Sequence, residues 1–334
     1  MTLTTDAACR SAVAADALDG LTADPEKREL YRYDTYLREG LASFEGMRAL
    51  ARSHAVTFVV LKPDAVAGRR CRRLLDVLSE EGWFPLAATT VRFEPLLTRE
   101  LWRYQFNAAS RQRIAVVDHL LGSGPSLLVL LGDARRPEWL PASVRLTAAK
   151  GSADPEAASG ADLRTRIGRV NGLFNFMHTA DDPADVIREL QLFSYQAGWD
   201  WCRQALTSGG PGQPPVPDGD PTHDLLRELE AGIPQHDLDL ALSLRRLEKG
   251  TDTWAELART AAAPEHIDVW LSELGRTPLP YGSARWDVLS VVTGWIDCNE
   301  PGVLPLLATS SAHAWQHAAP GAAAPTKEGE TWPS

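Results

Sequence analysis

The chain has 334 residues, of which 44% are hydrophobic and 23% charged, so it is neither a disordered, a collagen-like nor a disulfide-stapled chain. Its net charge of −10 excludes nucleic acid as the expected main partner, because binding a phosphate backbone needs a cationic surface. No apolar run reaches the roughly 18 residues of a membrane span, and no secretory signal is recognisable at the N-terminus. With four widely spaced cysteines, we expect reduced thiols and a cytoplasmic location.

Residues 1–54 are predicted to form a helical N-terminal extension. Asp24-Pro25-Glu26 is typical of a helix start, and apolar or aromatic side chains then recur at helical spacing from Leu30 to Met47. One side of these helices is apolar, so we expect them to pack on another part of the chain.

Strand-like and helix-like patterns alternate through residues 55–206. The apolar run at 56–61 is typical of a buried strand, and Lys62-Pro63-Asp64 ends it. Further strands are predicted at 85–93, 126–131 and 173–177, helices at 69–81, 98–106, 114–121, 143–149 and 182–193, and a loop at 151–165. The order predicts an α/β sandwich built on a mixed sheet.

The last third of the chain has a different composition. Residues 207–222 are rich in glycine and proline, which predicts a linker. Residues 223–310 contain several amphipathic segments with capping residues, which predicts a helical C-terminal domain. Residues 311–334 are rich in alanine, proline and glycine, which predicts a disordered tail.

Three polar residues stand where predicted elements end or begin. Lys62 follows the first strand, where its ammonium can meet a phosphate beyond the sheet. His178 precedes a helix N-terminus, a position that favours anions, and Glu189 in that helix can hold one imidazole nitrogen while the other acts as nucleophile. Each residue alone is more often simply packed or solvated, and the sequence has no P-loop, GxGxxG or GxSxG motif.

The order of these motifs resembles the nucleoside diphosphate kinase family over roughly residues 55–195. The motifs are TFVVLKPDAV, the SGP-strand of LLGSGPSLLVLL, the loop and arginine of ADPEAASGADLRTRIG, and NFMHTADDPADVIREL. The resemblance implies a ferredoxin-like α/β sandwich core, with the helical N-terminal extension and the all-α C-terminal domain outside it. It also implies a kinase that uses Mg²⁺ with ATP or another nucleoside triphosphate.

The resemblance assigns roles to five residues of the matched motifs. Lys62 corresponds to the phosphate-binding lysine, and His178 to the histidine that becomes phosphorylated. Glu189 corresponds to the glutamate that orients that histidine. Asn175 corresponds to the asparagine that binds the nucleotide sugar and phosphate, and Arg164 to the arginine that contacts the phosphates.

Other positions of the family pattern match less closely. Asp181 corresponds to an acidic residue that can contact the metal ion. The family's tyrosine falls at Tyr104, with Gln105 as the alternative. The second arginine falls at Arg145, with Thr147 and Lys150 as competitors. The family's His-Gly-Ser-Asp reads His178-Thr179-Ala180-Asp181 here, Ala153 takes a threonine's place, and the loop lacks the usual Lys-Pro-Gly.

Three functional hypotheses follow from these residues. The first is a phosphotransferase that moves the γ-phosphate of a nucleoside triphosphate through His178 to a nucleoside diphosphate or a related small molecule. The second is a catalytically weak nucleotide-sensing module whose helical part binds a protein. The third is direct transfer between two bound substrates. The added helices predict a monomer or small homo-oligomer, because they can replace the family's oligomer contacts.

Overall fold

The computed structural model describes residues 15–208 and 219–318. Its four strands, β1 to β4 along the chain, form one sheet in the order β2-β3-β1-β4, and every pairing is antiparallel. The predicted mixed sheet is therefore wrong, because neighbours in this order always run in opposite directions. The same order and the helical crossovers are those of a ferredoxin-like α/β sandwich, which confirms the predicted fold class. The strands are β1 Val56–Leu61, β2 Trp83–Val91, β3 Ser126–Asp133 and β4 Met177–Thr179.

The helices are numbered in chain order within the described residues. Those before β3 are α1 Ala15–Asp19, α2 Pro25–Tyr31, α3 Thr35–Gly46, α4 Pro63–Ala67, α5 Cys71–Glu80, α6 Pro95–Leu101 and α7 Arg111–Leu121. Between β3 and the unassigned segment lie α8 Ala142–Lys150, α9 Leu163–Arg166, α10 Pro183–Ala197 and α11 Asp200–Thr207. The rest are α12 His223–Gly232, α13 Leu240–Leu247, α14 Thr253–Thr260, α15 Ile267–Leu274, α16 Ser283–Trp295 and α17 Ala312–Ala318.

Both faces of the sheet are covered, which is why β1 and β3 are mostly apolar and are buried along their whole length. Val59 and Leu61 face one hydrophobic cluster, built with α5, α8 and the C-terminal helices. Phe58 and Val60, on the other face, belong to a second cluster formed with α3 and α10. Side chains alternate between faces along a strand, so the sheet separates the two cores.

The N-terminal helices cover the second face. Asp24 caps α2 and Asp34 caps α3 by accepting backbone N–H groups. Gly40 of α3 lies so close to Ile187 of α10 that a Cβ there would meet the Ile187 carbonyl oxygen at 2.7 Å. This close approach brings the extension against the helix that carries Glu189.

The C-terminal helices cover the first face and share its hydrophobic cluster. Trp286 of α16 contacts Phe174, with ring centroids 6.4 Å apart, in the segment before β4. The central part of the predicted linker, residues 209–218, lies outside the described residues. In the part described, no helix is long and apolar enough to cross a membrane.

The predicted disordered tail is wrong at its start. Residues 312–318 form α17, and Trp315 is buried against Leu140 and Val144. This large aromatic side chain supplies the apolar contact that the alanine-rich composition concealed. The remainder, residues 319–334, lies outside the described residues.

The fourth strand is shifted toward the C-terminus relative to the prediction. It was expected at 173–177 but occupies Met177–Thr179, so His178 lies within the strand. Phe176 has a φ of 71°, a left-handed conformation that a strand cannot contain. Asn171 accepts the backbone N–H groups of Leu173 and Phe174 and folds this segment into a turn.

Candidate functional site

A cavity of about 480 Å³ lies beside the end of β1, next to β4 and α10. Its wall combines cationic and acidic side chains with an apolar part from α6, α7 and the segment between them. The structure brings together most of the residues singled out in the sequence. The predicted residues that line the cavity are Lys62, Arg164, Asn175, His178, Asp181 and Glu189.

His178 and Glu189 form the centre of this site. His178 pairs with Val60 in the sheet, so its side chain lies on the face covered by α10. Its Nε2 is 2.7 Å from Glu189 Oε2, and the Trp102 ring stands edge-on to the imidazole at 5.1 Å. With the proton on Nε2, Glu189 accepts the hydrogen bond and Nδ1 keeps a free lone pair.

The surroundings hold the imidazole neutral. Burial, and then the ammonium of Lys150, lower the pKa of His178 to about 3. Burial, and then the charge of Asp185, raise the pKa of Glu189 well above its usual value. The imidazole is therefore neutral at neutral pH, and its nitrogen without a proton is available as a nucleophile.

Lys62 and Arg164 bring two buried positive charges to the cavity. Lys62 Nζ donates to the Leu173 carbonyl at 2.8 Å, and burial lowers its pKa to about 8. Arg164 donates to the carbonyls of Gly151 and Met177, while burial lowers its pKa to about 10. The Arg164 Nε has no hydrogen-bond partner within the described structure. A buried cation with spare donors suits an anionic ligand.

Asp64 connects Lys62 to the turn before His178. Its Oδ2 lies 3.6 Å from Lys62 Nζ and accepts the backbone N–H of Phe176 at 3.0 Å. Phe176 is the residue with positive φ, and its strained backbone is held in place by this bond. Asn175 Nδ2 donates to the Gly172 carbonyl at 2.6 Å, which fixes the Asn175 side chain at the cavity wall.

Asp181 does not stand free as a metal ligand. Its Oδ1 lies 3.5 Å from Lys150 Nζ and accepts a 3.3 Å hydrogen bond from the Thr147 hydroxyl. Across residues 15–208 and 219–318, no group of three His, Cys, Asp or Glu side chains is arranged to hold a metal ion. The residues present in the described part of the chain do not fit a resident Mg²⁺ site.

Tyr104 does not line the cavity. Its hydroxyl donates to Asp34 at 3.0 Å, and burial raises its pKa to about 12. Gln105, the alternative at this position, does line the cavity. The reason is local, since the chain turns between α6 and α7 and sends adjacent side chains to opposite sides.

Arg145 is also directed elsewhere. It pairs with Asp133 at 2.6 Å and lies over the Trp83 ring at 4.3 Å, at the far end of β3 from His178. The competing positions on the same helix, Thr147 and Lys150, line the cavity instead. A helix turns by about 100° per residue, so positions two and five residues on face another direction.

The sequence reasoning missed part of the cavity wall. Arg113 of α7 lines the cavity and donates to the Asn299 side-chain oxygen at 3.2 Å. Burial lowers the pKa of Arg113. Trp102 and Phe106 stack with centroids 6.0 Å apart and form the apolar wall. The sequence does show Trp102 and Phe106 four residues apart before the basic start of α7, but this pattern is equally typical of aromatic residues that only pack in a core.

No protein-family model matches the sequence, and no curated protein matches it. Several solved nucleoside diphosphate kinases match part of the structure. The Aquifex aeolicus enzyme is 23% identical, with 41% of this chain and 93% of that chain covered and a TM-score of 0.35. The Halobacterium salinarum enzyme, in complex with CDP, is 21% identical, with 46% and 98% covered and a TM-score of 0.35. The Encephalitozoon cuniculi enzyme is 20% identical, with 42% and 88% covered and a TM-score of 0.36.

Proposed function

We propose that the chain is a nucleotide-dependent phosphotransferase that carries a phosphoryl group on His178. The observation behind this proposal is the 2.7 Å pair of His178 and Glu189 inside a cavity that Lys62 and Arg164 also line. A neutral imidazole held at one nitrogen, with buried cations on the same wall, suits attack on a phosphate.

In the first half-reaction, Nδ1 of His178 attacks the γ-phosphorus of a nucleoside triphosphate. The N–P bond forms as the bond to the β-γ bridging oxygen breaks, and the nucleoside diphosphate leaves with that electron pair. Glu189 accepts a hydrogen bond from the Nε2–H group of His178 throughout. In the second half-reaction a phosphate oxygen of the acceptor attacks the same phosphorus, and the N–P electron pair returns to Nδ1.

The buried cations have a defined part in this scheme. Lys62 and Arg164 neutralise the charge on the transferred group, because phosphoryl transfer depends mainly on positioning and electrostatic stabilisation. Arg113 and Lys150 extend the positive wall along the cavity. Mg²⁺ enters with the triphosphate as part of the substrate.

The apolar part of the cavity suits the base of the nucleotide. Trp102 and Phe106 contribute aromatic lining on the side of α6 and α7. Trp102 already stacks with both Phe93 and Phe106, so this wall offers a base apolar contact without hydrogen-bond selectivity.

The test is labelling with γ-³²P-labelled ATP, followed by acid and base treatment. An acid-labile, base-stable label is expected on the wild type and none on His178→Asn. The matched control, His223→Asn, changes an exposed histidine that pairs with Asp224 at 3.1 Å and should label normally.

Each other result identifies a different function. Nucleotide binding without label or turnover in the wild type would indicate a sensing module. Undiminished turnover in His178→Asn would indicate direct transfer between two bound substrates.

A further inference from the structure

The helix that carries Glu189 has a second carboxylate on the same wall. Asp185 lies one turn before Glu189 on α10 and lines the cavity together with His178. Residues four apart on a helix are neighbours on its surface. A free Asp185 carboxylate would therefore compete with Glu189 for the imidazole proton.

Two residues of the N-terminal extension occupy both oxygens of Asp185. Lys27 Nζ lies 2.8 Å from Oδ2, and the Tyr31 hydroxyl donates to Oδ1. Lys27 also pairs with Asp182 at 2.9 Å, and Asp182 caps α10 by accepting the Asp185 N–H at 3.1 Å. The exposed fraction is 2% for the Lys27 side chain and 7% for that of Asp185.

Because Lys27 and Asp185 are buried, each needs the other's charge to stay ionised. Burial disfavours the charged forms, yet the two carboxylates raise the pKa of Lys27, and Lys27 lowers that of Asp185. The pair therefore stays ionised at neutral pH. A buried charge that loses its partner is strongly disfavoured, so it must take a proton or find another partner.

We infer that Lys27 and Tyr31, on a helix outside the α/β core, are positioning residues. They keep the Asp185 carboxylate away from His178, so that Glu189 remains the hydrogen-bond partner of His178. Neither residue lines the cavity with His178. This role rests on the proposed function for its meaning in turnover, but the hydrogen bond itself can be observed without turnover.

The test uses the full chain with Lys27→Met, Lys27→Arg, Tyr31→Phe and the double variant Lys27→Met/Asp185→Asn. We expect Lys27→Met to lower kcat by about tenfold or more, as displaced catalytic groups do. KM should stay within about twofold, because uniform substrate binding is not removed. The double variant should recover most of the rate lost in Lys27→Met, and Lys27→Arg should keep most of the wild-type rate. Tyr31→Phe should lose less of the rate than Lys27→Met.

The second readout is the low-field Nε2–H resonance of His178 in ¹⁵N-labelled protein, assigned by its absence in His178→Asn. It should broaden or vanish in Lys27→Met and return in the double variant. Lys249→Met, at an exposed lysine far along the chain, should change neither readout. If Lys27→Met does not fold, Tyr31→Phe and the double variant decide the question.

A folded Lys27→Met with wild-type kcat and an unchanged Nε2–H signal would overturn the inference. A loss that persists in the double variant would overturn it as well, because the freed Asp185 charge would not be the cause. If the wild type takes up no phosphate, the proposed function fails, and the resonance alone decides the role of Lys27.

Discussion

At the scale of single residues, the cavity contains ionisable groups whose charge depends on their burial. Lys62 is the clearest case, because its pKa of about 8 lies within reach of ordinary assay conditions. Its ammonium is charged below that pH and neutral above it. The imidazole of His178 stays neutral throughout the same range, since its pKa is about 3.

This difference predicts the pH dependence of the reaction. The value of kcat/KM, which reports groups of the free enzyme, should fall as the pH rises through about 8, because the positive charge on Lys62 is lost. Lys62→Ala should lower kcat/KM on the order of 10²-fold and remove that alkaline fall. Initial rates between pH 6 and pH 10 test both statements, with Lys249→Ala as the control. An alkaline fall that persists in Lys62→Ala would belong to another group.

At the scale of elements, α10 is fastened to the N-terminal helices by buried charges. Besides the Lys27 pair, Arg188 Nε lies 3.0 Å from Asp34 Oδ2, and the exposed fraction of these side chains is 1% and 0%. Asp34 also caps α3 and accepts the Tyr104 hydroxyl. The N-terminal extension and α10 are therefore joined by buried ion pairs next to the cavity.

We expect Arg188→Met to lower the free energy of unfolding by about 3–5 kcal/mol, because Asp34 would stay buried without its cation. Urea unfolding followed by circular dichroism measures this change. Arg203→Met breaks an exposed pair with Asp200 and should cost less than about 1 kcal/mol. Equal losses in the two variants would show that the buried pair adds nothing beyond an exposed one.

At the scale of the whole molecule, the sheet is covered by helices from both ends of the chain. The C-terminal helices share one hydrophobic cluster with β1, β3 and α5, and Trp286 lies within it. A shared core couples the unfolding of the parts that build it. We therefore expect the predicted domain at 223–310 to unfold together with the α/β core.

Thermal unfolding should accordingly show one transition. Trp286→Ala should lower the free energy of unfolding by about 3–5 kcal/mol, as large-to-small changes of buried aromatics do, and should shift the whole transition. Trp139→Ala, at a tryptophan that is 42% exposed, is the control and should have little effect. Calorimetry that resolved two transitions, with only one of them shifted by Trp286→Ala, would indicate an independent C-terminal domain.

From the sequence, the α/β sandwich was predicted correctly and its mixed sheet wrongly, and three motif residues were grouped that line one cavity. The 56–61 strand was predicted with its true ends, since a continuous apolar run bounded by Lys62-Pro63 is a local signal. Lys62, His178 and Glu189 were recognised by their order along the chain, and they line one cavity. Local sequence patterns determine helices and strands, and the order of motifs along the chain predicts which of their residues lie together.

Only the tertiary structure decided which neighbours complete the site. Tyr104 and Gln105 are adjacent in sequence, yet backbone geometry sends only Gln105 into the cavity. Lys27 meets Asp185 across 158 positions of the chain, and no periodicity or spacing encodes such a contact. The pairing of buried charges depends on how α2 packs against α10, and packing is a property of the folded chain as a whole.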